Sequence, residues 1–72
     1  LFGGIDGLDL YRRLFQQIKK LKIMPQLIIG EFGFGQNDKM EKLLQKNFNN
    51  YNFQIILDLA GIPRVFVIKS GA

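Results

Sequence analysis

Between Pro25 and a cluster of glycines at positions 30, 33 and 35 lies a short unbroken apolar run, Leu27-Ile28-Ile29. This run constrains the fold more than any other feature. A strand with one wet face alternates apolar and polar residues, whereas a strand covered on both faces reads as a continuous apolar stretch. The spacing therefore predicts an inner strand over Gln26–Phe32, and Glu31 near its C-terminal end. The glycines that follow break the strand and open a loop.

Helical patterns flank this run. From Asp6 to Leu21, Leu10, Leu14, Ile18 and Leu21 recur at helical spacing, and Tyr11 and Phe15 widen the stripe. Asp6 suits the N-cap and Asp9 the positive end of the helix dipole. Lys19, Lys20 and Lys22 suit the other end, and Pro25 blocks continuation. A second amphipathic helix is predicted over Asn37–Phe48, with Met40, Leu43, Leu44 and Phe48 on one face and Asn37 as its cap. Asn47, Asn49 and Asn50 favour termination. Asn52–Leu57 alternates Phe53, Ile55 and Leu57 as a strand. Asp58–Arg64 reads as a loop, Val65–Lys69 as the last strand, and Ser70-Gly71-Ala72 as a fraying end.

The predicted order is helix, strand, helix, strand, strand. A strand–helix–strand unit joins parallel strands by a crossover. The last two strands, joined by a short loop, are expected to be antiparallel. Both rules hold if the last strand lies between the other two, antiparallel to each. The first strand then keeps one open edge, and its apolar character implies a missing neighbour. The sequence also starts at Leu1 rather than at Met, and we expect residues 1–72 to be one piece of a larger α/β domain.

Composition narrows the chemistry. The 72 residues include no cysteine and no histidine, which removes disulfides, the usual zinc ligands, Cys and His nucleophiles and the commonest general base. No paired carboxylates at catalytic spacing stand out. No apolar run approaches the roughly 20 residues that a membrane-spanning helix needs. The net charge is +4, and most of the basic residues fall in two clusters, Arg12, Arg13, Lys19, Lys20 and Lys22, then Lys39, Lys42 and Lys46. Both sit opposite apolar stripes, as solvated helix faces do. The competing reading is an independent small basic α/β module that binds nucleic acid. Gly33-Phe34-Gly35 after a strand imitates a dinucleotide fingerprint, but Asp38 occupies the third glycine position, where a carboxylate would repel a pyrophosphate.

Three stretches carry a family resemblance. The first is Leu1-Phe2-Gly3-Gly4, then Asp6-Gly7-Leu8-Asp9 and Tyr11-Arg12. The second is Glu31-Phe32-Gly33 with Gln36. The third is Asp58-Leu59-Ala60-Gly61 followed by Arg64. In order and spacing they resemble the release-factor glutamine methyltransferases, the HemK/PrmC family. The resemblance implies the C-terminal part of a Rossmann-like class I methyltransferase sheet, whose final antiparallel strand is inserted between the two before it. It implies a cytoplasmic parent enzyme that uses S-adenosylmethionine to methylate the glutamine of a Gly-Gly-Gln motif in a peptide chain release factor.

The family's glycine-rich donor loop, acidic ribose-binding residue and Asn-Pro-Pro-Tyr motif are not in this sequence. No catalytic, donor-binding or metal-binding residue is therefore expected within it, and the chain alone is expected to be inactive. By resemblance Phe2, Gly3 and Gly4 border the acceptor cleft. Glu31, at the end of an inner strand, faces the same cleft or holds a structural hydrogen bond, with Arg64 as a candidate partner. Asp58 and Arg64 are expected to pair across their loop. The open strand edge is expected to promote self-association.

Overall fold

The computed structural model describes residues 7–70. Its elements are α1 (Asp9–Lys19), β1 (Leu27–Glu31), α2 (Asn37–Phe48), β2 (Asn52–Leu57) and β3 (Pro63–Lys69). The three strands form one sheet in the order β1-β3-β2, and β3 runs antiparallel to both neighbours. The insertion of the last strand between the others is thus the arrangement that connectivity predicts. β2 and β3 are joined too closely to lie apart, and α2 carries the chain across from β1 to β2.

Register decides which side chains meet. Ile28, Ile68 and Phe53 stand side by side across the sheet, as do Gly30, Phe66 and Ile55. These pairs share one face, because direct partners in a ladder point the same way. That face receives both helices. Leu8, Phe15, Phe32, Met40, Leu44 and Phe48 close over Phe66 and Ile68 in one cluster. Phe15 lies at its centre, edge-on to Phe48 at 5.1 Å and to Phe66 at 5.7 Å between ring centroids. Such edge-to-face pairs contribute about 0.5–1.5 kcal/mol each beyond their burial.

Gly30 explains itself here. The Phe66 ring lies over it, so a Cβ at position 30 would fall within 3.0 Å of Cζ and Cε2 and 3.2 Å from Cε1. The strand gives up a side chain so that an aromatic ring can fill the space.

Several expectations are corrected. α1 starts later and ends earlier than its apolar pattern suggested. Its buried line is Leu8, Tyr11, Phe15 and Ile18, whereas Leu10, Leu14 and Leu21 are exposed. The helix carries two neighbouring apolar stripes, and the sheet covers only one of them. Leu8 stands at its N-cap, without a capping side-chain bond; Asp6 lies outside the described residues, as do Gly71 and Ala72.

α2 has the predicted bounds, but Gln36 is its N-cap, not Asn37. β1 ends at Glu31 rather than Phe32, and β3 begins at Pro63 rather than Val65. A bulge at Ile56/Leu57 breaks the alternation of β2 and leaves Leu57 exposed.

The double burial expected of β1 is also not seen among the described residues. Its covered face carries Ile28 and Gly30. The opposite face presents Leu27 and Ile29, 52% and 61% exposed. The same outer face continues across β3 and β2 with half-buried Val65, buried Val67 and exposed Ile56, mixed with Gln54, Asn52 and Lys69. β1 is an edge strand with apolar side chains on its open face, a combination that soluble sheets ordinarily avoid.

Candidate functional site

At the C-terminal end of β1, the β1–α2 loop meets the segment entering α1 and the start of β3. Glu31, the last residue of the strand, shares the outer face with Leu27 and Ile29, away from the helices. Its main-chain carbonyl accepts a hydrogen bond from the Tyr11 hydroxyl on α1. Burial raises the Tyr11 phenol above its ordinary value of 10.0, although the bond to the Glu31 carbonyl opposes this. Tyr11 therefore keeps its proton at neutral pH and acts as the hydrogen-bond donor. It ties α1 to the strand end while its ring packs edge-on against Phe66 at 5.4 Å.

The next residues turn sharply. Phe32 is buried and donates its N–H to the Arg64 carbonyl at 2.9 Å. Gly33 donates its N–H to Gln36 Oε1 at 2.7 Å, and Gln36 returns its own N–H to the Gly33 carbonyl at 3.2 Å. Gly35 closes the turn at φ +86°, a conformation that costs glycine nothing.

Gln36 then starts α2 by accepting the Met40 N–H on its carbonyl, at 2.9 Å. The side-chain amide of Gln36 reaches the other way, against Gly7 just ahead of α1. A Cβ on Gly7 would fall within 3.0 Å of Gln36 Nε2. Gly7 itself has φ +76°. Two of the three motif stretches thus touch through one side chain.

The third stretch builds a separate turn. Asp58 Oδ1 accepts the N–H groups of Ala60 and Ile62 at 2.8 and 2.9 Å. Arg64 Nε donates to Asp58 Oδ2 at 3.3 Å, and Gly61 turns the chain at φ +80°. The backbone N–H of Ile62, then that of Ala60 and the Arg64 guanidinium, hold the Asp58 carboxyl below the usual carboxylate range. The Asp58–Arg64 pair is present as expected, and it shapes the β2–β3 turn. The Arg64 guanidinium is directed to Asp58 rather than to Glu31; Arg64 reaches the β1 end only through its main chain.

Of the residues singled out from the sequence, Glu31 lies at this strand end, whereas Phe2, Gly3 and Gly4 lie outside the described residues. The turn over residues 33–36 is not fitted to a nucleotide phosphate: the Gly33 N–H is taken by Gln36, and Asp38 occupies the first turn of α2.

Two polar roles escape sequence reasoning. Gln36 drew notice only as part of a motif. Asn47, expected to end α2, instead lies buried inside it. Its Nδ2 donates to the Leu43 carbonyl at 2.9 Å, and its Oδ1 accepts from Gln16 at 3.2 Å and Lys19 at 3.4 Å on α1. A shallow hollow of about 350 Å³ opens on the far edge of the sheet, between β2 and the start of α2, and holds Glu41. It does not reach the β1 end. No helix among the described residues is long and apolar enough to cross a membrane.

No family model matches the chain, and no solved structure matches it. Curated relatives do. The release factor glutamine methyltransferase of Bacillus cereus is 32% identical over 65 residues, covering 90% of this chain and 23% of the relative. That of Bacillus anthracis matches to the same extent. That of Thermodesulfovibrio yellowstonii is 34% identical over 70 residues, covering 96% of this chain and 24% of the relative. The chain therefore spans about a quarter of the length of the relatives it matches.

Proposed function

From its similarity to release factor glutamine methyltransferases, we propose that this chain is the C-terminal part of a protein-glutamine methyltransferase and supplies three strands of a Rossmann-like sheet. The observation that carries the reading is the near-complete match of the chain to about a quarter of each relative. The open edge and apolar outer face of β1 support it physically. Leu27 and Ile29 are exposed by more than half, and further parts of a parent domain would cover them.

The parent enzyme, on this reading, transfers a methyl group to the side-chain amide nitrogen of a glutamine in the Gly-Gly-Gln motif of a peptide chain release factor. S-adenosylmethionine would supply that methyl group as an electrophile. The residues of this chain do not fit the donor, because the glycine-rich turn after β1 is filled by its own Gln36 side chain. Donor binding is therefore assigned to the rest of the parent. This chain's share is positional. Open α/β sheets bind ligands beyond the C-terminal ends of their strands, and the Tyr11 bond fixes that end of β1. Phe2, Gly3, Gly4 and Glu31 are proposed to border the acceptor cleft.

Mass spectrometry of a Gly-Gly-Gln peptide incubated with the parent protein and donor tests the reading. A gain of one methyl group on the glutamine is expected. The 72-residue chain alone should give none, and donor should not raise its melting temperature. A parent that leaves the glutamine unmodified overturns the assignment; donor binding by the short chain overturns the division of labour.

A further inference from the structure

We infer that Gln36 is a positioning residue that locks the segment entering α1 to the loop leaving β1, and so sets the shape of the acceptor end of the sheet. The inference deepens the functional reading above and rests on it for its catalytic consequence.

The geometry is specific. Gln36 stands at the N-cap of α2, yet its side chain makes no capping bond to that helix. The helix uses only its main-chain carbonyl, which accepts from Met40. The side chain turns backwards instead. Its Oε1 accepts the Gly33 N–H at 2.7 Å, and its Nε2 rests against Gly7.

Glycines make both approaches possible. A Cβ at Gly33 would lie 3.3 Å from Oε1, and one at Gly7 would collide with Nε2. Gly7 also holds a left-handed conformation at φ +76°, which side chains rarely adopt. One flexible amide thus bonds the Gly33 backbone and packs against the Gly7 backbone, two segments from different parts of the chain at the C-terminal end of β1. Tyr11, four residues after Gly7, holds α1 to the Glu31 carbonyl on the same side. The Tyr11 bond and the Gln36 packing contact together couple the start of α1 to the strand end. Transfer to an amide depends on alignment, and displacements near 1 Å can cost on the order of 100-fold in rate.

The test uses the parent enzyme carrying Gln36→Ala or Gln36→Glu. Gln36→Glu keeps an acceptor for Gly33 and loses the amide donor facing Gly7. For Gln36→Ala we expect kcat on a Gly-Gly-Gln peptide to fall roughly 10- to 100-fold per donor-binding site. Calorimetric donor titration should give an unchanged Kd and site count. Gln36→Glu should recover part of the loss. A fall in activity that only follows a fall in the number of donor sites would reduce Gln36 to a folding role and overturn the inference.

A second measurement stands apart from activity. In urea denaturation of the parent, Gly7→Ala should cost less in a Gln36→Ala background than alone, because the collision partner is gone. Strict additivity would overturn the clamp. An inactive wild-type parent would instead sink the functional reading, and the urea cycle would still judge the contact.

Discussion

Gly30→Ala is the smallest change that tests how this core is assembled. The added Cβ would stand within 3.0 Å of two carbons of the Phe66 ring. The ring has little room to retreat, because it is 1% exposed and edge-on to Tyr11 at 5.4 Å and Phe15 at 5.7 Å. Gly30 has no left-handed φ, so alanine is acceptable to the backbone and removes about 0.4–1 kcal/mol of unfolded-state entropy. Overpacking a filled core costs about 1–3 kcal/mol. The steric term wins, and the net loss should be about 1–2 kcal/mol. That is a large part of the roughly 3–5 kcal/mol a core this small supplies. Phe66→Leu alone should also destabilise, by less than the about 3–5 kcal/mol of a full Phe→Ala truncation. Combined with Gly30→Ala it should cost less than the sum, with a coupling of at least about 0.5 kcal/mol, because the shorter side chain leaves room for the new methyl. Urea midpoints of the four chains at constant m measure this. Additivity within about 0.3 kcal/mol, or a stabilising Gly30→Ala, would refute the packing argument.

Asn47→Ala should cost about 1–2 kcal/mol by urea denaturation, because it cuts the bonds that join α2 to Gln16 and Lys19 on α1; a neutral result would show those bonds to be replaced by water without loss. The Asp58 carboxyl is held below its ordinary value by the β2–β3 turn, so its stabilising effect is complete above its unfolded value, about 3.9, and is lost as pH falls through the lower folded value. Asp58→Asn should flatten that acid limb of the stability profile, and an unchanged limb would assign it to other carboxyls. The 72-residue chain should self-associate through its β1 edge and outer face, and Ile29→Lys should suppress this; a strictly monomeric sedimentation profile of the unsubstituted chain at high concentration would contradict it.

Much of this architecture was legible in the amino acids. The order of elements and the bounds of α2 and β2 followed from periodicity and from the punctuation of Pro25, the glycines and the asparagines. The antiparallel insertion of β3 followed from connectivity, since a short β2–β3 link and a helical β1–β2 crossover leave one arrangement. The Asp58–Arg64 pair was readable because its partners are six residues apart in one turn. The family resemblance was readable in three motifs spread along the chain.

What the sequence could not show is which of several suitable surfaces meets its partner. α1 carries two apolar stripes, and local spacing weighs them equally; only the position of the sheet buries Phe15 and leaves Leu10 and Leu14 open. Gly30 looked like a strand breaker until Phe66, brought beside it by the register of β3, gave it a reason. Asn47 and Gln36 looked like turn and motif residues, and their partners lie 28 to 31 residues away for Asn47 and at Gly7 for Gln36. Periodicity records how a segment wants to bury itself, whereas the choice of face, and each polar bond that joins distant segments, is made only when the sheet sets those segments against one another.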